Sequence, residues 1–174
     1  MIYQPLVSII INTHNGVEYL REAIDSAYAQ TYTNFEVIVY DNASSVDVQS
    51  YLEGYNNIQF CRSEIYLTLG QARNEALKLA KGELIDYLDC DDLFLPEKLE
   101  KQVPLFEESR VGLVICNTWF FKQDGAGIEE WLYYDQPPPT GHVFNELLIN
   151  YYISFETAIF RKSAVGNDPK KWFP

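Results

Sequence analysis

The stretch that decides the fold reads Leu84-Ile85-Asp86-Tyr87-Leu88-Asp89-Cys90-Asp91-Asp92. Its first part has the length and apolar composition of a buried strand, with Asp86 as an oddity that must be paired or face an edge. The strand ends in three carboxylates, Asp89, Asp91 and Asp92. Crowded carboxylates repel one another. A bound divalent cation such as Mg²⁺ or Mn²⁺ is one explanation for their clustering. The alternative is a solvated acidic turn that caps the next helix.

Composition narrows the class of protein. The chain has 174 residues, which suits one domain, and its net charge is −12. That charge argues against a nucleic-acid-binding surface and against a basic membrane patch, since both need clustered Lys and Arg. The three cysteines form no CxxC pair, which favours a reduced, cytosolic protein. No signal peptide is evident and no apolar run reaches transmembrane length.

Hydrophobic periodicity predicts alternating strands and helices in the first half of the chain. The predicted strands are 6–11, 35–40, 58–61 and 84–88, and the helices are 18–30, 47–52 and 69–81, with Gly82 just after the last helix as its C′ residue. This order predicts an α/β fold with a mostly parallel sheet flanked by helices. The second half is more mixed and could add an antiparallel edge. It contains a helix from Pro96, strands at 111–121, 130–134 and 155–160, and a helix at 143–152.

Polar side chains follow three of the predicted strands, at 13–15, 41–44 and 89–92. The carboxyl ends of parallel strands meet at one edge of a sheet, where ligands bind in open α/β folds. We therefore expect the three sets to converge. The chain has no G-x-G-x-x-G after its first strand and no G-x-x-x-x-G-K-[ST], so neither a dinucleotide site nor a P-loop is predicted.

Taken in order, these motifs resemble the family 2 inverting glycosyltransferases, which have the GT-A fold. The segments that carry the resemblance are 7–15, 19–20, 23–26, 30–32, 35–41, 44–47, Gly70-Gln71-Ala72-Arg73-Asn74 and Leu88-Asp89-Cys90-Asp91-Asp92. The match is dense from residue 5 to about residue 99 and looser beyond. Each motif is weak alone, but their order and spacing together are specific.

The resemblance implies one GT-A domain over 1–174, with 1–100 as the nucleotide-binding half and 101–174 as the start of an acceptor half. It implies transfer of a sugar from a nucleotide diphosphate, a UDP-sugar by preference, to an acceptor hydroxyl, with inversion and with Mn²⁺ or Mg²⁺ as cofactor. The implied nucleotide-binding residues are Thr13, Asn15, Asp41, Arg73 and Asp91, with Asp41 accepting from the base. The implied metal ligands are Asp92 and Asp91.

Two features depart from the family pattern. Asn42 and Ala43 stand where many members have Asp and Gly, and 64–66 replaces a common Asn-x-Gly. The general base is also missing, because the family usually supplies it from a Glu-Asp motif that does not occur before Pro174. Asp135 and Glu156 are the candidates for the general base within the chain. Asp168 lies in a terminal segment and is no stronger a candidate.

We therefore expect a truncated chain, the donor half of a larger enzyme. Its partners by resemblance are a nucleotide-sugar donor and a glycan or lipid-linked acceptor, in the cytoplasm, with attachment to the inner face of the membrane left open. One alternative is a fragment that binds nucleotide and metal without transferring sugar. Another is a receiver-like phosphoacceptor domain, which needs a lysine at a later strand end. Here only Lys122 follows such a strand, and the 72–74 motif would be unexplained.

Overall fold

The computed structural model describes residues 3–124, 127–137, 140–149, 153–166 and 173. Its strands are β1 Val7–Thr13, β2 Phe35–Asp41, β3 Ile58–Arg62, β4 Leu84–Asp89, β5 Leu113–Val114, β6 Trp119–Asp124, β7 Gly127–Leu132 and β8 Ile159–Arg161. Its α-helices are α1 Leu20–Tyr28, α2 Leu69–Leu79, α3 Lys98–Gln102 and α4 Phe144–Ile149. Short 3₁₀ helices span Val48–Leu52, Val103–Glu107, Phe155–Thr157 and Lys162–Val165. Among these residues, no helix is both long and apolar enough to cross a bilayer.

The main sheet has six strands in the order β3-β2-β1-β4-β8-β5. Strands β3, β2, β1 and β4 are parallel, whereas β8 runs antiparallel to both of its neighbours. Strand β1 is central and buried along its whole length, which explains its near-continuous apolar sequence. The predicted parallel sheet with an antiparallel edge is thus confirmed.

Alternating residues of the strands build a core on each face of the sheet. Ile9 and Ile11 of β1 belong to the core beneath α1 and α3. Ile10 lies on the opposite face, where it belongs to the core that Ala72 and Ala76 of α2 complete. The sheet is therefore covered by helices on both faces, as the predicted βα alternation requires.

The predicted strand 111–121 is in fact two strands in two sheets. After the two-residue β5, the side chain of Asn117 accepts from the backbone N–H groups of Thr118 at 2.9 Å and Tyr134 at 3.1 Å. Its amide also donates to the carbonyl of Tyr134 at 3.0 Å. These bonds lie beside the start of β6, which pairs with β7 in a separate two-stranded sheet.

The last predicted strand, 155–160, begins with a 3₁₀ turn instead. Thr157 closes the turn, since its N–H and its hydroxyl both donate to the carbonyl of Ser154, at 3.1 and 2.6 Å. Ala158 after the turn is extended, and strand β8 starts at Ile159. This turn determines where the side chain of Glu156 lies.

A glycine is required at position 82 for a different reason from the one predicted. Helix α2 ends at Leu79, and Ala80 after it is extended, so Gly82 is not a left-handed helix cap. Instead it lies against β1. A Cβ on Gly82 would be 2.6 Å from the backbone nitrogen of Ser8 and 2.8 Å from the carbonyl oxygen of Leu6. Only glycine allows the chain to enter β4 so close to β1.

Asp86 is fully buried on the α3 face of β4 and pairs with Lys98 of α3. The ammonium group of Lys98 also lies 4.1 Å from the ring centre of Phe94. Burial raises the pKa of Asp86 to about 6, and the charge of Lys98 and its hydrogen bond oppose that rise. The oddity in the acidic strand is therefore a buried ion pair that anchors α3 to the sheet.

Candidate active site

The three polar strand ends do converge. In the sheet register Thr13 lies beside Asp41, and Asn12 lies beside Asp89. The loops that follow β1, β2 and β4 therefore leave the sheet side by side. The sequence prediction of one shared edge is confirmed.

The loops after β1 and β2 are held together by side-chain hydrogen bonds. Asp41 is fully buried, and its two oxygens accept from the N–H of Ser44 at 2.9 Å and from Arg62 Nη1 at 2.8 Å. Asn15, in a left-handed conformation with φ 58°, accepts from the N–H and the hydroxyl of Ser45 at 2.7 and 2.9 Å. Both residues predicted to bind nucleotide thus shape the rim of the site.

A small cleft of about 60 Å³ opens between these loops and α2. It is lined by Asn12, Thr13, His14, Asn42, Leu69 and Ala72. The side-chain amide of Asn12 is buried, and neither its nitrogen nor its oxygen has a partner among the described residues. Since buried polar groups are normally paired, this wall of the cleft is suited to a polar ligand or water.

Asn42, one of the residues that depart from the family pattern, lines this cleft. The amide of Asn42 donates to the carbonyl of Leu67 and accepts from its N–H, both at 2.9 Å. The backbone carbonyl of Asn42 is 2.8 Å from His14 Nδ1, and the rings of His14 and Tyr66 are 4.7 Å apart at their centres. Asn42 therefore ties the loop that carries Tyr66 to the end of β2, a role that the sequence did not reveal.

Three carboxylates meet at the end of β4. Asp89, Asp92 and Glu156 each offer an oxygen, and these oxygens all lie within 4.8 Å of one another. We call these three residues the carboxylate cluster. Asp91 is exposed and outside the cluster, and Asp135 is exposed in the bend that follows β7. Asp168 lies outside the described residues.

The cluster is electrostatically strained without a cation. Burial raises the pKa of Asp92 to about 6, and the charges of Glu156, Asp89 and Asp91 add to the rise. Burial also raises the pKa of Asp89, against the opposing charge of Arg73. Half-buried carboxylate oxygens with excess negative charge are the donor set that Mn²⁺ and Mg²⁺ take. The residues present therefore fit a hard divalent cation.

Arg73 contacts the cluster from α2. Its Nη2 donates to Asp89 at 3.1 Å. Its guanidinium carbon lies 3.9 Å from the ring centre of Phe155 and 5.7 Å from that of Tyr87. The side chain is largely buried, so Arg73 supplies a fixed positive charge at one side of the carboxylates.

Comparison with known proteins decides the family. The model of the family "Glycosyl transferase family 2" matches residues 8–167. The chain belongs to glycosyl transferase family 2. Its fold is GT-A, as expected, and membership removes the receiver-like alternative.

Similar proteins that use or bind nucleotide-sugars are consistent with this family. The chain is 34% identical over 119 residues to the UDP-Glc:alpha-D-GlcNAc-diphosphoundecaprenol beta-1,3-glucosyltransferase WfaP of Escherichia coli, covering 67% of this chain and 47% of that protein. It also resembles residues 1–349 of S. aureus TarS in complex with UDP-GlcNAc, with a TM-score of 0.76, 27% identity, and coverage of 97% of this chain and 48% of that 1–349 chain.

A second solved structure is that of the mannosyltransferase PcManGT from Pyrobaculum calidifontis, in complex with GDP-Man and Mn²⁺. Its TM-score is 0.62 at 28% identity, covering 66% of this chain and 36% of that one. The neighbours of this family 2 chain thus include proteins bound to a UDP-sugar and to a GDP-sugar. The chain spans a third to about half the length of the first curated relatives that it matches.

Proposed function

We propose that this chain is the donor-binding part of an inverting glycosyltransferase that uses a UDP-sugar with Mn²⁺ or Mg²⁺. The observation that carries the proposal is the carboxylate cluster, which lies at the same sheet edge as the cleft beside Thr13. The complexes of TarS with UDP-GlcNAc and of PcManGT with GDP-Man and Mn²⁺ support a nucleotide-sugar at this edge.

In this proposal the nucleotide lies along the ends of β1 and β2, near Thr13 and Asn15, with Asp91 beside the ribose. Asp41 would accept a hydrogen bond from the base. Each of its oxygens has a second lone pair, so the bonds to Ser44 and Arg62 leave acceptor capacity. Because Asp41 is fully buried, the base reaches it only after a neighbouring side chain moves. We expect Arg62 to be the side chain that moves, because it is half exposed.

Asp89, Asp92 and Glu156 would hold the cation, with Asp91 as a further ligand by family resemblance. When bound, the cation would neutralise the charge that develops on the leaving diphosphate. The charge of Arg73 opposes the rise that burial causes in the pKa of Asp89, and its direct contact orients that carboxylate. The excess negative charge of the cluster also selects against a donor diphosphate that arrives without a cation.

Transfer with inversion needs a general base for the acceptor hydroxyl. We assign Glu156 to the metal rather than to this role, because a carboxylate that binds a cation is a poor base. Asp135 is exposed in the bend after β7, so its burial does not mark it as a base. The base would then come from a part of the protein that the described residues do not include. The alternative is a chain that binds donor and metal but does not transfer sugar.

The acceptor is proposed to be a glycan or a lipid-linked sugar at the cytoplasmic face of a membrane. The support is the similarity to WfaP, whose acceptor is a diphosphoundecaprenol-linked sugar. The net charge of −12 argues against nucleic acid as a partner.

Calorimetric titration of UDP into this chain tests the proposed donor site. We expect UDP to bind with Mn²⁺ present and to bind at least roughly tenfold more weakly after chelation, since the cation would bridge the diphosphate. UMP serves as the matched control because it lacks the diphosphate, and its binding should not depend on Mn²⁺.

Other nucleotides sharpen the test. Preference for GDP or dTDP over UDP would refute the UDP assignment and the role of Asp41 while leaving the metal site intact. Failure of every nucleotide to bind, with either cation, would contradict the donor site itself. Release of UDP from UDP-GlcNAc or UDP-Glc, with and without glycan acceptors, then separates a transferase from a binding fragment.

A further inference from the structure

An aromatic cluster lies beneath the carboxylate cluster, on the α2 face of the sheet. Tyr87 of β4 is close to Phe155, with ring centres 5.1 Å apart. The ring of Phe173 meets both in edge-on geometry, at 5.6 Å from Tyr87 and 5.7 Å from Phe155. Three rings from distant parts of the chain thus share one apolar site.

Phe155 connects this aromatic cluster to the carboxylates. The centre of its ring is 3.9 Å from the guanidinium carbon of Arg73, and Arg73 in turn pairs with Asp89. The residue that follows Phe155 is Glu156, a member of the carboxylate cluster. The position of the Phe155 ring therefore affects two of the three carboxylates, one through Arg73 and one through the backbone.

Phe173 is held in place by its backbone as well as by its ring. The side chain of Asn74 donates to the carbonyl of Phe173 at 2.7 Å and accepts from its N–H at 2.9 Å. Asn74 is the neighbour of Arg73 on α2. Adjacent residues of one helix thus contact Asp89 and fix the ring that packs against Phe155.

We propose that Asn74 and Phe173 are positioning residues for the carboxylate cluster. The amide of Asn74 anchors Phe173, whose ring fills the space behind Phe155 and holds it against Arg73. Removing the Phe173 ring leaves a cavity beside Phe155. Phe155 can then shift, and Glu156 and Asp89 lose their mutual alignment. This inference rests on the metal site of the proposed function.

Two measurements on the variants Phe173→Ala and Asn74→Ala of the full chain test this positioning role. In the metal-free protein, the amides of Thr157 and Ala158, which close the turn around Glu156, should exchange with deuterium roughly tenfold faster than in the parent. The affinity for Mn²⁺ alone, measured by electron paramagnetic resonance, should fall roughly tenfold, as for loss of other outer-shell supports of a metal site. Phe173→Tyr keeps the ring and should retain most of the affinity.

Gln71→Ala is the matched control. It breaks the capping box between Gln71 and Thr68 on the same helix, so it should lower thermal stability without changing either readout. If Phe173→Ala and Asn74→Ala bind Mn²⁺ as tightly as the parent, the positioning role is wrong, even if exchange is faster. A parent chain that fails to bind Mn²⁺ overturns the metal site of the proposed function, and the positioning role with it.

Discussion

Replacement of Asp92 by Asn is expected to weaken Mn²⁺ binding by roughly 100-fold or more, because even outer-shell substitutions typically cost about 10- to 100-fold. Asp92 lies in the carboxylate cluster, where burial and the neighbouring negative charges raise its pKa to about 6. The loss should appear in titrations with Mn²⁺ alone and again as a loss of Mn²⁺-dependent UDP binding.

The same substitution should leave the metal-free fold as stable as the parent or more stable. Asp92→Asn removes a charge that burial and three neighbouring carboxylates disfavour. Asp91→Asn should have a smaller effect on Mn²⁺ affinity, because Asp91 is outside the cluster. Glu107→Gln, which removes an exposed charge from the Val103–Glu107 turn, is the control for net charge. Equal losses in Asp92→Asn and Glu107→Gln would show that the cluster has no special role.

Replacement of Lys98 by Met is expected to lower the free energy of unfolding by about 3 to 5 kcal/mol at neutral pH. The change leaves the carboxylate of Asp86 fully buried with no cation beside it. Urea denaturation followed by circular dichroism measures the loss. Asp86→Leu combined with Lys98→Met should recover much of it, because the uncompensated charge is then gone.

Lys101→Met is the matched control for this change. Lys101 is three positions further along the same helix, is 71% exposed, and pairs with the exposed Glu97. Such exposed pairs contribute at most about 1 kcal/mol, so Lys101→Met should be nearly neutral. If the two lysine variants lose the same stability, the buried pair does not anchor α3.

The effect of Lys98→Met should also depend on pH. The folded-state pKa of Asp86, about 6, lies above its ordinary value of 3.8. The contribution of Asp86 to stability is therefore full below pH 4 and is lost as the pH rises through 6. Without Lys98 the carboxyl group of Asp86 stays neutral in the folded protein over a wider range of pH. The destabilisation should accordingly be smaller at pH 5 than at pH 7.5.

The parallel half of the fold was predictable because its signals are local. Strands β1, β2 and β4 are apolar runs with polar ends, and parallel pairing then brings the ends together. The pairing of Asp41 with Arg62 also follows from register, because these residues are direct neighbours across β2 and β3. This pairing was not predicted, because the sequence alone does not determine the register of β3 against β2.

The antiparallel half depends on side-chain bonds that periodicity does not reveal. Asn117 binds the backbone of Tyr134 beside the start of β6, and the bonds of Thr157 to Ser154 close a 3₁₀ turn where a strand was predicted. That turn brings Glu156 beside Asp89 and Asp92. The sequence offered Glu156 only as a weak candidate for the base, because its distance along the chain from the acidic strand hides their proximity.

The most direct test of the donor site is a crystal of this chain soaked with UDP and Mn²⁺, with diffraction recorded at the manganese absorption edge. We predict an anomalous peak among the carboxylates of Asp89, Asp92 and Glu156, with the diphosphate of UDP in contact with it. A peak elsewhere, or UDP bound with no manganese at these carboxylates, would contradict the account.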